Sequence, residues 1–255
     1  MNKPRILSVA LVLSLFLAPC HPVDSGILSR IDALVSFSDT DFGAEYLIEK
    51  RDPGGSISTS KVVMFRRDRS RQFLVLILEP PVDTGKGYLK SGESLWLYDP
   101  VGKSFTFTNA KERFENTSVR ISDFNASNYA EDYRVVSQSS EKLGKFDCEV
   151  LSLESIRDSA PFAKVKIWVS RDSLVRKTED YSLSGLLMRT TAVPTYQKVG
   201  GRWAPYSVVI IDNLKSKLIS GKVEYERTTV TITKPSLRAL PDSTYSKEYL
   251  ERVAR

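Results

Sequence analysis

Two short runs constrain this chain more than anything else in it. Phe73 to Glu79 reads FLVLILE, and Leu95 to Tyr98 reads LWLY. Side chains of a strand alternate between two faces, so each run, as a strand, is apolar on both sides. An antiparallel sheet with one wet face alternates polar residues along its strands. These runs do not. Either protein covers both faces there, or one face lines a cavity for an apolar ligand. Few helices are available as covers, which favours the cavity.

The rest of the chain reads mostly as strands. Phe42 to Arg51 alternates cleanly, with Phe42, Ala44, Tyr46 and Ile48 on one side and Glu45 and Glu49 on the other. Asp52-Pro53-Gly54-Gly55 turns the chain, and Lys61 to Arg67 returns. Further strands are expected over Tyr133 to Ser139, Phe146 to Leu153, Phe162 to Val169, Leu174 to Tyr181, Leu186 to Tyr196, Tyr206 to Asp212 and Lys222 to Thr233. In the last, the apolar phase changes between Val223/Tyr225 and Val230/Ile232, which suggests a bulge. Helical spacing appears over Ser25 to Phe37 and again over Thr244 to Val253. Strands at hairpin spacing predict one meandering antiparallel sheet, mainly β, curled into a barrel or half-barrel.

The stretch from Gly85 to Tyr133 organises this sheet. Its glycines at 85, 87 and 92 follow Pro80-Pro81 and read as a hairpin turn. After LWLY comes a turn at Asp99-Pro100-Val101-Gly102, then the alternating Ser104 to Thr108. Ser122-Asp123-Phe124 follows and opens a short helix-like segment ending near Asp132-Tyr133. Floor and lid edge of a receptacle are expected here.

The N-terminus reads as an export signal. Lys3 and Arg5 precede the apolar run Ile6 to Leu17, which is shorter than the roughly 20 residues a membrane-spanning helix needs. Leu17-Ala18-Pro19-Cys20 then resembles a lipobox, in which cleavage precedes a lipid-bearing cysteine. The expected division is a signal peptide over 1–19, a lipidated or flexible tether over 20–24, and a single domain over 25–255. That makes the protein exported, periplasmic or lipid-anchored to a bacterial envelope membrane. The net charge of +6 is mild and scattered. It suits a weak preference for anionic headgroups and gives no sign of nucleic-acid binding. The densest basic run, Arg66-Arg67-Asp68-Arg69-Ser70-Arg71, reads as a charged hairpin turn. Cys148 alternates with Phe146 and Val150, as a small buried apolar residue would.

Catalytic chemistry is thinly provided. The single histidine, His21, stands beside the expected cleavage point, which leaves no base for a nucleophilic triad. Zinc favours Cys and His ligands, and no phosphate-cradling glycine loop joins a strand to a helix. No cofactor and no metal site is expected. The remaining candidates are carboxylates: Asp39, Asp41 and Glu45 near the first strand, and Asp123 heading the helix-like segment. Carboxylates can act as a general base or hold a hard metal ion. Equally, Asp39 and Asp41 suit a loop, and Ser122 or Asp123 a helix N-cap.

The order of these segments resembles a known family. G-Y-L-K-S-G-E-S-L-W-L-Y-D-P (87–100) is followed by Ser122-Asp123-Phe124 and Asp132-Tyr133. Ile167-Trp168-Val169, Val175 to Tyr181, and Lys198-Val199-Gly200-Gly201-Arg202-Trp203-Ala204-Pro205 come next. Together they resemble the bacterial outer-membrane lipoprotein-sorting family (LolA/LolB-like) over nearly all of the chain beyond the leader. One departure is Ile121, where the pattern has a glycine. The resemblance implies a curved, incompletely closed antiparallel half-barrel with helices plugging its concave face. It also implies acyl chains bound inside without catalysis. The family's soluble carriers hold their lid with an arginine, which no motif locates in this chain.

The functional expectation is an envelope protein that shelters lipid or lipoprotein acyl chains and passes them to a membrane or an acceptor protein. The alternative is a phospholipase-like hydrolase using the same cavity and the four carboxylates, with or without a divalent ion. The expected cavity lining is Leu74, Leu76, Leu78, Trp96, Tyr98, Phe105, Phe107, Phe124 and Ile167, with lipid attached at Cys20.

Overall fold

The structure, a computed structural model, describes residues 26–254. The expected leader, Cys20 and His21 lie outside them. One 13-stranded antiparallel sheet contains every strand, in the order β6-β5-β4-β3-β2-β1-β13-β12-β11-β10-β9-β8-β7. The strands are β1 (Phe42–Arg51), β2 (Ile57–Arg67), β3 (Gln72–Glu79), β4 (Gly87–Ser91), β5 (Ser94–Asp99), β6 (Ser104–Phe107) and β7 (Tyr133–Leu143). They continue as β8 (Phe146–Ser155), β9 (Lys164–Ser170), β10 (Val175–Tyr181), β11 (Leu187–Val199), β12 (Arg202–Ile219) and β13 (Lys222–Leu237). β6 and β7 end the order without pairing to each other, so the curled sheet stays open. That is the expected half-barrel.

Three differences from the sequence reading matter. Gly87 begins a strand, β4, where a turn was expected. β12 and β13 are much longer than expected and form a hairpin that outruns its neighbours. The phase change in β13 is also not a bulge in that strand. Its ladder to β1 runs unbroken from Thr233 to Arg227. Val230 and Ile232 point to the inner face and Val223 and Tyr225 to the outer one, so the apolar residues change sides. The register shift sits in β12 instead, between Asp212 and Ser216.

Each face of the sheet has its own cover. On the inner face, α1 (Ile27–Val35) packs Ile27, Leu28 and Ile31 against Leu151, Leu153, Val165 and Ile167 of β8 and β9. The long connection from β6 to β7 crosses the other half. It buries Phe114, Val119, Ile121 and Phe124 against Tyr46, Phe73, Val75 and Tyr88. Ile121, where the family pattern has glycine, is a core residue in a 3-10 turn, Ile121–Phe124. Short helix α2 (Tyr129–Asp132) ends the crossing, and Asp32 of α1 caps it from outside. Its carboxylate accepts from the Tyr129 and Ala130 backbone N–H at 3.1 and 2.9 Å and from Ser127 Oγ at 2.7 Å. Unpaired N–H groups at a helix start are satisfied this way.

The terminal helix α3 (Lys247–Val253) does not plug the concave face. It lies on the outer side of β3–β5, where Leu250 and Tyr245 bury Leu74, Leu76, Leu89 and Tyr98. Burying a Leu-sized side chain is worth roughly 1.5–3 kcal/mol, so this cluster fixes the terminus firmly. β4 allows the approach because Gly87 has no side chain: a Cβ there would stand 2.5 Å from Leu250 Cδ1. FLVLILE is therefore covered on both sides. Phe73, Val75 and Ile77 meet the crossing segment, and Leu74 and Leu76 meet α3.

Candidate functional site

Between the inner face and its two covers lies a cavity of about 1180 Å³. That exceeds the roughly 300–1,000 Å³ that encloses a drug-sized ligand. Sheet residues Tyr46, Ile48, Leu95, Val208, Ile210, Val230 and Ile232 line it. Ile31, Val35 and Phe37 come from α1 and the residues after it, and Val119, Phe124 and Tyr129 from the crossing segment. The alternation in β1 follows from this: Phe42, Tyr46 and Ile48 face the cavity, and Glu45 faces outward to Lys234. Burial pushes the Tyr46 phenol up to about 12, the behaviour of a hydroxyl held in apolar surroundings.

Two arginines tie the covers to the sheet. Arg66 of β2 donates from its guanidinium to the carbonyl oxygens of Val35 at 3.4 Å and Asn125 at 3.3 Å. It thus holds the end of α1 and the crossing segment together. Asp68 pairs with it at 2.6 Å and accepts from the Phe37 backbone N–H at 2.7 Å. The rings of Phe37 and Phe42 lie 5.9 and 5.4 Å from the same guanidinium. Arg189 of β11 makes the second tie. It donates to Asp123 of the 3-10 turn at 2.7 Å and to Asp180 of β10 at 2.8 Å. Burial raises the Asp180 carboxyl above its ordinary value in spite of this arginine, while the two carboxylates hold the Arg189 guanidinium firmly charged against its burial. Charged and polar side chains share the lining with the apolar ones, among them Arg66, Asp68, Arg71, Asp132, Asp180 and Arg189; Lys90 of β4 also lines it and donates to Asn125 Oδ1 at 2.9 Å. Burial lowers its pKa.

A family model described as an uncharacterized protein matches residues 69–252. None of the curated proteins compared with the chain matches it. Among solved structures, a LolA superfamily protein from Nitrosomonas europaea is 25% identical and superimposes with a TM-score of 0.73, over 88% of this chain and 97% of that one. The chain belongs to the family of that model, and its fold is LolA-like. A putative outer membrane lipoprotein-sorting protein domain from Vibrio parahaemolyticus shares the fold at 18% identity, TM-score 0.77, over 89% of this chain and 98% of its own. So does a DUF1329 family protein from Desulfovibrio piger at 15% identity, TM-score 0.77, over 89% and 97%.

In this LolA/LolB-like chain the residues expected to line the cavity divide between the faces. Phe124 lines it. Ile167 is on the inner face but buried in the core beneath α1. Leu74, Leu76, Leu78, Trp96, Tyr98 and Phe105 lie on the outer face in the cluster under α3. Phe107 is exposed at the edge, its ring against Trp96. The reason is register. Strands apolar on both faces carry no mark of which face is inner, and α3 takes the one that the cavity does not.

The four candidate carboxylates do not converge. Asp39 pairs with Arg202 at the surface and Glu45 with Lys234 and Lys61 on the outer face. Asp123 serves Arg189 and also accepts from the Arg120 backbone N–H at 2.8 Å. Asp41 is buried beneath the C-terminal segment. It accepts two bonds of 2.8 Å from Arg67 and one of 2.7 Å from the Leu240 backbone N–H. Each has a structural partner of opposite charge or a backbone donor. No group of three or more His, Cys, Asp or Glu side chains able to hold a metal ion occurs among the described residues.

The sequence reading passed over Arg66 and Arg67 as parts of a charged turn. One ties the covers over the cavity, and the other anchors the C-terminus. Their alternation was the available signal: neighbours in a strand face opposite sides.

Proposed function

We propose that this protein shelters acyl chains of a lipid or lipoprotein in the inner cavity and yields them to a membrane or an acceptor protein of the bacterial envelope. The observation that carries this is the volume of the cavity and the apolar sheet residues on its floor, Tyr46, Ile48, Val208, Ile210, Val230 and Ile232, under two covers tied by Arg66 and Arg189. Each CH₂ moved from water into such a lining contributes about 0.8 kcal/mol. Shape and contact with the apolar floor then hold the acyl chains. Opening requires α1 and the crossing segment to part, and Arg66 bridges them at Val35 and Asn125. The LolA-type neighbours support the carrier reading by their fold.

The export signal over 1–19 and lipid attachment at Cys20 belong to the same proposal and lie outside the described residues. No helix among those residues is long and apolar enough to cross a membrane. Native mass spectrometry of protein purified from a bacterial envelope tests the cargo directly. The expected result is co-purifying lipid that organic extraction removes and a fluorescent fatty acid replaces. Protein that carries no lipid and binds no fatty acid would overturn the proposal. Arg66→Ala is expected to quicken uptake of the fatty acid by loosening the cover. Peptide mapping of the mature N-terminus tests the leader, with diacylated Cys20 expected at its start.

A further inference from the structure

We propose that the free end of the β12–β13 hairpin docks on an anionic lipid surface. This goes beyond the cavity and does not depend on what the cavity holds. β13 pairs with β1 only as far as Arg227 opposite Arg51, and β11 pairs with β12 only as far as Asp212. Beyond them, Ser216 to Ile219 pair with Tyr225 to Lys222 as a two-stranded ribbon. It is closed by Ser220 and Gly221, whose φ angles of 47 and 77° make the tight turn that suits a hairpin's twist.

The ribbon's outer face is apolar at the tip and basic below it. Leu218 stands directly opposite Val223, and Tyr225 shares their face. They are 74%, 55% and 42% exposed. A lone two-stranded ribbon is marginal in water, and a projecting apolar cluster marks a contact site. The opposite face is propped from behind: the Gly54 N–H of the β1–β2 turn donates to Glu224 at 3.0 Å. The tip is thus a supported projection.

Two residues further along the same face comes Arg227, facing Arg51 across the ladder. Like charges directly opposite each other are destabilising. Neither has a carboxylate within ion-pair distance among the described residues, and the shallow depression around them holds only Glu49 and Thr229 besides. Glu226 faces inward, where Arg113 and Lys215 take it. Lys222 adds positive charge at the tip, while Lys217 stands opposite Glu224. From Val223 to Arg227 is about 13 Å along a strand. With the apolar tip sunk about 5–10 Å to the boundary of headgroups and acyl chains, the guanidinium pair stands at the phosphates. Apolar tip, interfacial tyrosine and a basic pair in no direct ion pair fit a surface that is oily below and negative above.

The test uses the full chain carrying Cys20→Ser, so that no attached lipid contributes. Val223→Cys takes an environment-sensitive fluorophore; Cys148 is buried and does not compete. Val101→Cys, in the β5–β6 turn, is the control. Vesicles of phosphatidylglycerol with phosphatidylethanolamine are expected to brighten and blue-shift the probe at 223 and not at 101. Arg51→Gln with Arg227→Gln should weaken vesicle binding about fivefold for each arginine removed, while leaving thermal unfolding and fatty-acid binding unchanged. No response at 223, equal responses at both probes, or an equal response to neutral phosphatidylcholine vesicles would overturn docking. So would a response that grows with protein concentration without vesicles, which would make the tip a contact between copies. Because fatty-acid binding is read separately, failure of the docking site and failure of the cargo reading are distinguishable.

Discussion

Asp123 of the inner 3-10 turn lies 2.7 Å from Arg189 of β11, so a cover over the cavity is fastened by charge to the sheet beneath it. Asp180 shares the same guanidinium at 2.8 Å. The pair also explains why a candidate catalytic carboxylate sits where it does: Asp123 is a fastening.

Arg189→Met should therefore be costly. It would leave Asp180 buried and Asp123 near it with neither in an ion pair, Arg120 being the remaining nearby positive charge. Breaking a buried pair from one side costs about 3–5 kcal/mol. Asp123→Asn should cost less, because Asp180 still neutralises the arginine. Urea unfolding of both variants checks the order.

The acid limb of stability should report Asp41. Burial pushes its carboxyl up, but hydrogen bonds from Arg67 and the Leu240 N–H prevail and hold it below the ordinary value of 3.8. A carboxyl lowered by folding adds stability above its unfolded pKa and loses it as pH falls through the folded one. The window is thus below about pH 4. Asp180 runs oppositely. Its raised pKa gives a contribution present in acid and lost as pH rises through the folded value. Asp41→Asn should lower stability at pH 7 and flatten the fall below pH 4, measured by unfolding at a series of pH values.

Charge placed on the two faces should act differently. Leu76→Glu buries an unpaired carboxylate under α3 and should unfold the domain or nearly so. Val208→Glu puts the charge at a half-buried lining position. It should weaken fatty-acid binding while the domain stays folded. Thermal unfolding and binding of a fluorescent fatty acid, measured together, decide it. Loss of binding only alongside loss of fold, at every lining position, would remove the cavity as a site.

Gly87→Ala should lift α3. Its Cβ would meet Leu250 Cδ1 at 2.5 Å and the Val75 carbonyl oxygen at 2.9 Å. Overpacking of this kind costs about 1–3 kcal/mol. Leu250→Ala alone should cost about 2–5 kcal/mol. In the Leu250→Ala background the Gly87→Ala penalty should shrink, and a double-mutant cycle measures the coupling.

The sequence by itself determined the strand content, the single open sheet and its likeness to the lipoprotein-sorting family. The reason is local: alternation in Phe42 to Ile48 and turn residues such as Asp52-Pro53-Gly54-Gly55 act over a few residues. It also marked the inner face wherever one face is polar, as in β1. Only the tertiary structure decided the faces of FLVLILE and LWLY, since apolar residues on both sides are equally satisfied by a cavity, a lid or a helix. α3 settled that choice from the far end of the chain, on the seat left by Gly87. The division of labour between Arg66 and Arg67 was hidden for the same reason. Two adjacent arginines look like one charged turn until the strand sends one to each face, where different partners neutralise them.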